Sequence, residues 1–351
     1  MVSDMLFHDQ TLFKNSEVFD FDYVPEEFMF RQEQMKEVIN CLNPAINKKR
    51  PVNCMLNGLP ATGKTTSTNL IFDELKSYNH IVTIHLNCRM VNTTFRVYSE
   101  IHKKVFGYSP PDTGIPVTSL YNKIFEKLGE EGKILIVALD DAVFLEDCDE
   151  VLYQLLRVSE VFPGVKVGLI VVLSEKEKYV VEDKSVSVFR PRIIDYSPYS
   201  GDDIFEILKT RAYLGLYEGV VDDSLLRIIS EHAVGQDLRF GIELLRQSVL
   251  EAENKSEKKV LKSYVEDAFN KILKTDKDLG KSELGDKEKG VLEILNAKDY
   301  DSGDLYKLIN KKIKISYSSF YRLIEKLEKK KLIKVDEKIK DRGRTRTISK
   351  L

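Results

Sequence analysis

The chain has 351 residues, of which 42% are hydrophobic and 31% are charged, a composition typical of a globular protein with more than one domain. No stretch approaches the roughly 18 unbroken apolar residues that a membrane-spanning helix needs. The N-terminus lacks the basic start and apolar run of a secretory signal. These features argue against membrane and secreted proteins, and we expect a cytoplasmic protein with no membrane partner.

The net charge of −2 hides an asymmetry between the two ends of the chain. Residues 285–351 carry 19 Lys and Arg against 11 Asp and Glu, a net charge of +8, whereas the rest carries 35 against 45. A basic segment attached to an acidic body favours contact with a polyanion such as nucleic acid. A solvated lysine-rich surface is the alternative that charge alone leaves open.

Residues 1–20 show weak periodicity and are expected to form a partly ordered arm. Over residues 21–200, apolar runs typical of buried strands alternate with helical patterns. The predicted strands are Val52–Leu56, Ile81–Leu86, Ile134–Leu139 and Val167–Leu173. The predicted helices are Arg31–Leu42, Thr65–Leu75, Phe95–Phe106, Ser119–Leu128 and Glu150–Val161. This alternation predicts an α/β domain built on a parallel sheet with helices on both faces.

After residue 200 the strand pattern gives way to helices. Residues 201–275 predict an all-α domain with helices at Asp202–Leu214, Asp223–His232, Asp237–Ala252 and Ser263–Leu273. Residues 276–290 are rich in Lys, Asp, Glu and Gly and predict a linker. Residues 291–351 predict three short helices and a hairpin.

A phosphate-binding loop lies between the first strand and the helix that follows it. The segment fits the pattern G-x-x-x-x-G-K-[ST] in full; with the residue after it, it comprises Gly58, Leu59, Pro60, Ala61, Thr62, Gly63, Lys64, Thr65 and Thr66. The glycines let backbone amides surround a phosphate, and the helix N-terminus adds partial positive charge. We expect Lys64 to contact the phosphates of ATP or ADP and Thr65 to bind Mg²⁺.

Two acidic residues follow the strand Ile134–Leu139. Asp140 is expected to hold Mg²⁺ together with Thr65. Asp141 stands where a glutamate usually polarises the attacking water, and its side chain is one methylene shorter. Lys64, Asp140 and Asp141 are therefore the predicted catalytic residues.

The order of motifs resembles that of archaeal replication initiators related to the origin recognition complex and the cell-division-control replication protein. The resemblance runs from Phe21 to Thr347 and implies an AAA+ nucleotide-binding domain (21–200), a helical lid (201–275) and a winged helix (291–351). It rests on Asp22-Tyr23-Val24-Pro25, Arg31, Pro51-Val52-Asn53, Asn87-Cys88, Pro110–Gly114, Asp195-Tyr196-Ser197-Pro198-Tyr199 and Gly235-Gln236-Asp237-Leu238-Arg239.

The resemblance also implies further nucleotide contacts, with a segment before the first helix packing on adenine. The residues concerned are Tyr23, Val24, Pro25, Arg31, Thr66, Tyr199, Arg211 and Arg239. Arg239 would reach from the lid to the phosphates and couple lid closure to the bound nucleotide. Ordinary packing for Tyr23 and Pro25, and an exposed helix start for Arg239, are the alternatives. An insertion beginning at Pro110–Gly114 would touch DNA.

The chain departs from the family's pattern at three positions. The segment Val171–Glu175 places Ser174 where an asparagine is usual, and Lys184 stands where an intermolecular arginine is expected. Lysine keeps the charge but lacks the planar fork of arginine. With the shortened Asp141 as well, we expect tight nucleotide binding and a weak ATPase, since an arginine finger can be worth ~10³-fold in rate.

The C-terminal segment has the pattern of a DNA-binding winged helix. One apolar stripe, Phe320, Leu323, Ile324 and Leu327, leaves small polar and basic residues on the other side of its helix. The residues predicted to enter the major groove are Ser318, Ser319, Arg322 and Lys326. A hairpin of Leu332–Val335 and Thr345–Ile348 would contact phosphates or the minor groove through Arg342, Gly343, Arg344 and Arg346. A winged helix that contacts protein is the alternative.

Together these features predict an initiator that binds double-stranded origin DNA and uses ATP binding with slow hydrolysis as a switch for helicase loading. The implied partners are origin DNA, a replicative helicase and further copies of the chain on DNA, and the protein would be cytoplasmic and chromosome-associated. Two alternatives stay open. One is a hydrolysis-deficient, nucleotide-binding regulator of transcription or DNA structure, and the other is an unrelated P-loop ATPase with a fused winged helix.

Overall fold

The computed structural model describes residues 11–25, 28–111, 113–174, 189–282, 286–295, 300–313, 315–329, 332–340 and 343–350. The chain divides into two compact units, one ending at Val265 and the other beginning at Glu266. The sequence places the corresponding boundary near residue 275. The difference arises because one helix, Lys262–Ser282, runs across both positions.

Five parallel strands form the sheet described in the first unit, in the order β2-β3-β4-β1-β5. They are β1 (Cys54–Asn57), β2 (Ile81–Asn87), β3 (Ile134–Asp140), β4 (Lys166–Leu173) and β5 (Arg192–Asp195). The four predicted strands are confirmed. The sequence does not predict β5, because this edge strand buries only Ile194 and therefore lacks the continuous apolar run of its neighbours.

Every residue of β3 is buried, because the sheet is covered on both faces. Alternate side chains of the strand enter two separate cores: Leu135 and Val137 join one, and Ile134 and Ile136 join the other. This confirms the predicted parallel sheet with helices on both sides. It also brings the polar residues that end the strands to one edge of the sheet.

The helices of this α/β part begin and end close to their predicted bounds. They are α1 (Gln32–Ile46), α2 (Lys64–Leu75), α3 (Thr94–Phe106), α4 (Val117–Glu130), α5 (Cys148–Leu156) and α6 (Val158–Val161). The predicted helix Glu150–Val161 is interrupted at Arg157, whose backbone (φ −103°, ψ 11°) leaves the helical region. Its side chain pairs with Glu160 at 2.7 Å.

The lid consists of α7 (Gly201–Gly215), α8 (Asp223–Ala233), α9 (Leu238–Asn254) and the start of α10 (Lys262–Ser282). The first three helices each begin after a residue whose side chain accepts a hydrogen bond from a backbone amide of the first turn. These capping residues are Ser200, Asp222 and Asp237. The predicted all-α lid is thereby confirmed in its helices.

The arm packs on the lid more firmly than its weak periodicity predicts. A 3-10 turn at Ser16–Phe19 buries the Phe19 ring completely. That ring lies against Gly215, where an added Cβ atom would come within 2.3 Å of it. The amides of Lys14 and Asn15 donate to the Gly215 carbonyl oxygen at 2.8 and 3.1 Å. The end of α7 therefore fixes the described part of the arm, residues 11–20.

Much of the predicted linker, 276–290, is helical. Helix α10 continues to Ser282, and α11 (Asp286–Leu295) follows shortly after it. Lys, Asp and Glu are compatible with a solvated helix, so a low apolar content alone does not end one.

The second unit has the predicted winged-helix arrangement. Its helices α11, α12 (Ser302–Ile313) and α13 (Tyr317–Lys329) precede a hairpin of β7 (Ile333–Lys340) and β8 (Gly343–Lys350), and β6 (Tyr300–Asp301) adds an antiparallel edge that the sequence does not predict. Its core contains Leu305, Ile309, Phe320, Ile324 and Leu327. Across the part of the chain that the structure describes, no helix is long and apolar enough to cross a membrane.

Candidate functional site

The loop between β1 and α2 has a backbone that requires glycine at two positions. Gly58 has φ +152°, and a Cβ atom there would lie 2.3 Å from the Tyr196 carbonyl oxygen. Gly63 has φ +91°, and a Cβ atom there would lie 2.8 Å from the Phe28 ring. The curled loop leads directly into α2, whose first amides suit a phosphate group.

The ammonium group of Lys64 is buried inside this loop. Its Nζ atom donates to the carbonyl oxygens of Gly58 at 2.6 Å and Leu59 at 2.7 Å, and it lies 3.3 Å from Thr62 Oγ1. Burial lowers the pKa of Lys64 to about 8, although the charges of Asp140 and Asp141 oppose that shift. Loop and lysine thus form one hydrogen-bonded unit.

Thr65 and Asp140 meet as predicted. Thr65 Oγ1 donates to Asp140 Oδ2 at 2.6 Å. His85 Nε2 lies 3.0 Å from the same oxygen, and His85 Nδ1 lies 2.5 Å from Asn69 Oδ1. Burial opposes ionisation of Asp140, but the hydrogen bonds from His85 and Thr65 outweigh it, so its pKa lies below the ordinary value.

His85 and Asn69 are absent from the sequence-based predictions. The available signal was a polar side chain at an interior position of β2. Because β2 and β3 pair in parallel, His85 comes near the end of the strand that carries Asp140. The hard oxygen ligands of Thr65 and Asp140 fit the preference of Mg²⁺.

Asp141 is held in an ion pair within the same chain. Its backbone is left-handed (φ 54°, ψ 45°), and its Oδ2 atom accepts a hydrogen bond from Arg89 Nε at 2.6 Å. The Arg89 guanidinium also lies 3.8 Å from the centre of the Phe144 ring. Arg89 is a candidate site residue that the sequence does not predict, and its only signal was its position two residues after β2.

Lys64, Thr65, Asp140, Asp141 and Arg89 line one cavity of about 500 Å³ in the first unit. The predicted residues that line it are Tyr23, Pro25, Pro60, Ala61, Thr62, Gly63, Lys64, Thr65, Thr66, Asp140, Asp141, Ser174, Tyr199, Arg211 and Arg239. The further lining residues are Phe21, Phe28, Met29, Asn87, Arg89, Ile207, Thr210, Leu214, Leu238 and Ile242. Helical spacing could have indicated the lining residues that belong to the lid. On α7, for example, Ile207 and Leu214 share a helical face with Arg211.

The lid and the arm meet at Arg211. Its guanidinium group donates to the carbonyl oxygens of Val18 and Tyr23 and lies 4.7 Å from the centre of the Tyr23 ring. Burial lowers the pKa of Arg211. The predicted nucleotide-binding arginine therefore also fixes the arm beside the cavity. Arg239, at the start of α9, lines the cavity from the lid.

Arg31 is not among the residues that line the cavity, and its contact with nucleotide stays a prediction. The buried guanidinium donates to the carbonyl oxygens of Thr62 at 2.8 Å, Phe30 at 2.9 Å and Ser197 at 2.6 Å. It also lies 3.8 Å from the centre of the Tyr199 ring. Arg31 therefore joins the phosphate loop to the exit of the α/β domain and acts as a positioning residue.

The other predicted site residues either lie outside the cavity or fall outside the described part of the chain. Gly58 and Leu59 shape the loop without lining the cavity, and Val24 is exposed beside it. Lys184 lies outside the described residues, as does Arg342. The Arg344 side chain is likewise outside the described part.

The predicted DNA-binding residues of α13 share an exposed surface of the second unit. Ser318, Ser319, Arg322 and Lys326 are all exposed, opposite the buried Phe320 and its stripe. Gly343 begins β8, and the guanidinium group of Arg346 on that strand lies 5.9 Å from the centre of the Tyr321 ring. The helix and the described part of the wing therefore present polar and basic side chains next to each other.

The order of the sheet strands, the phosphate loop and the helical lid define an AAA+ fold. Residues 205–270 match the family model of the Cdc6 AAA+ ATPase-type lid domain. The chain is 39% identical over 340 residues to ORC1-type DNA replication protein 2 of Methanothermobacter thermautotrophicus, with 95% of this chain and 90% of that protein covered. The chain belongs to the family of ORC1-type DNA replication proteins, as the motifs predict.

Solved structures agree on the fold. The ORC1 protein of Aeropyrum pernix in complex with DNA is similar with a TM-score of 0.80 and 24% identity, over 98% of this chain and 94% of that chain. The Aeropyrum pernix ORC2 protein in its ADPNP-ADP complexes gives a TM-score of 0.64 and 21% identity, over 97% and 94%.

The substitution Arg31→Lys tests the positioning role of Arg31. The three carbonyl oxygens accept from three different nitrogens of the guanidinium group. The single nitrogen of a lysine side chain cannot span their positions, so we expect the free energy of unfolding to fall by about 1–3 kcal/mol. Urea denaturation followed by circular dichroism measures it. The control is Arg192→Lys, which alters an exposed pair with Glu37 and is expected to change stability little. Equal effects of the two substitutions would contradict the assignment.

Proposed function

We propose that this protein binds the duplex DNA of a replication origin and uses bound ATP or ADP as a conformational switch for loading a helicase. The observation that carries the proposal is the cavity lined by the phosphate loop, the lid and residues between Phe21 and Met29, in a chain that also has a winged helix. A ligand that contacts all three segments can bias their arrangement. The replication function named for the Methanothermobacter relative supports the same conclusion.

Nucleotide binding rests on the character of the cavity walls. Lys64, Arg239 and the start of α2 supply positive charge for phosphates, whereas Tyr23 and Phe28 supply aromatic surface for a base. The ADPNP-ADP complexes of the Aeropyrum ORC2 protein support this proposal. Thr65 and Asp140 would hold Mg²⁺, which neutralises phosphate charge when bound.

Hydrolysis, in this proposal, is slow because the residue placed to act as the base is restrained. Asp141 would accept the proton of the water that attacks the γ-phosphate, but its carboxylate is already paired with Arg89 at 2.6 Å. A carboxylate held in a charge-assisted hydrogen bond must leave that partner before it can turn toward the attacking water. Lys64 would stabilise the charge that develops on the phosphate oxygens.

Removing Arg89 should release Asp141. For Arg89→Ala we expect single-turnover hydrolysis of ATP to rise about two- to fivefold, because an exposed ion pair restrains its partner by only ~0.2–1 kcal/mol. The matched control combines Arg89→Ala with Asp141→Asn, which should abolish the gain. Slower hydrolysis in Arg89→Ala would instead assign the guanidinium to the phosphates.

The alternative function, a hydrolysis-deficient regulator of transcription or DNA structure, is favoured by the same Arg89–Asp141 pair and by Ser174 at the end of β4. The single-turnover measurement separates the two. An initiator that resets itself needs hydrolysis above the uncatalysed rate, and a regulator does not.

DNA binding rests on the exposed face of α13 and on the basic second unit. We propose that α13 enters the major groove and that the wing lies along the backbone, with self-association and helicase contacts made by the DNA-bound protein. The insertion near Pro110–Gly114 would add a contact from the first unit. Such a protein would be cytoplasmic and associated with the chromosome.

The substitution Arg322→Ala tests this interface. We expect duplex affinity to fall about tenfold and the dependence of log affinity on log salt to become shallower, since a phosphate or base contact is lost. Fluorescence anisotropy on chromosomal origin fragments and scrambled duplexes at two salt concentrations measures both. Lys258→Ala, on an exposed lid position, is the control, and equal affinities for all three proteins would exclude α13 from the interface.

A further inference from the structure

Tyr317 is the first residue of α13, the helix whose exposed face carries the proposed DNA contacts. Half of its surface, 50%, is exposed although three aromatic neighbours surround it. A large ring held open to solvent at a helix N-terminus lies where the first residues of a recognition helix reach base edges.

Neighbouring side chains restrict the position of the Tyr317 ring. It meets the Tyr306 ring edge-on, with centroids 4.9 Å apart and planes at 85°, and it lies 6.3 Å from the buried Phe320 ring. Tyr306 is itself fixed, because its hydroxyl donates to the Ile315 carbonyl oxygen at 3.2 Å. The hydroxyl groups of Tyr317 and Tyr321 are 3.1 Å apart. An aromatic group with so little freedom loses little entropy when it binds.

The serines beside it are already engaged with each other. Ser316 Oγ accepts a hydrogen bond from the Ser319 amide at 3.2 Å and therefore caps the helix. The same oxygen lies 3.1 Å from Ser318 Oγ and 2.9 Å from Ser319 Oγ. The two serine hydroxyls that the sequence predicts as base contacts thus belong to the cap network. Tyr317 is the large side chain at this end of the helix.

We infer that Tyr317 is a specificity-determining residue that packs its ring against the 5-methyl group of thymine in the major groove, with Tyr321 holding it in position. The inference rests on the proposed duplex binding. The thymine methyl is the apolar group that base pairs present in the major groove, and it is matched by apolar rather than hydrogen-bonding side chains. The ring offers an apolar edge, whereas Arg322 and Lys326 offer charge on a different stripe of α13.

The test compares two duplexes that differ only in the 5-methyl groups of their thymines. A duplex selected for tight binding is prepared with thymine and again with deoxyuridine at every thymine position, and anisotropy titrations use the full-length chain. We expect the unmodified protein to bind the deoxyuridine duplex about fourfold more weakly, the value of one buried methyl group. Tyr317→Phe should keep this dependence, and Tyr317→Ala should bind both duplexes equally.

Equal affinity of the unmodified protein for the two duplexes overturns the inference while leaving DNA binding intact. Tyr317→Ala that still discriminates fourfold overturns it as well, because another residue then senses the methyl. Absence of any duplex binding by the unmodified protein refutes the proposed function itself. Thermal unfolding of Tyr317→Phe and Tyr317→Ala verifies that both variants keep a folded second unit.

Discussion

Burial of two cations at the carboxyl edge of the sheet is the constraint on which the site depends. Lys64 and Arg31 lie almost out of contact with solvent, and a buried charge without partners is costly. Backbone carbonyl oxygens serve both: Lys64 is bound within its own loop, and Arg31 is bound by Thr62 and Ser197. The phosphate loop, α1 and the exit from β5 are therefore locked to each other before any ligand contact is considered.

The lid and the arm extend this fixed edge into a cavity. Gly215 at the end of α7 leaves room for the Phe19 ring, and Arg211 on the same helix binds the arm's carbonyl oxygens. Tyr23, one of the aromatic residues that line the cavity, is consequently attached to the lid. A ligand bound in the cavity can therefore change the position of the lid through α7. This coupling is the physical basis of the proposed switch.

The sequence predicts those parts that follow from local patterns. The strand runs, the loop from Gly58 to Thr65 and the pairing of Thr65 with Asp140 are all visible in it. The Arg89–Asp141 pair and the His85 contact are not, because they depend on which strands are neighbours. The bridging role of Arg31 is not visible either, because two of its carbonyl partners, Thr62 and Ser197, lie far from it in the sequence. The edge strand β5 and the helices within residues 276–290 are not predicted from the sequence, because neither segment carries an apolar pattern.

Hydrogen–deuterium exchange with and without Mg²⁺-ADP is the most direct test of the central claim, that one nucleotide cavity is lined by the loop, the lid and residues between Phe21 and Met29, and that Arg211 connects this cavity to the arm. We predict slower amide exchange in residues 58–66 and also in residues 12–20 and 201–216, which meet at Gly215 and Arg211. Protection confined to residues 58–66 would contradict the account, because the nucleotide would then bind without engaging the lid or the arm.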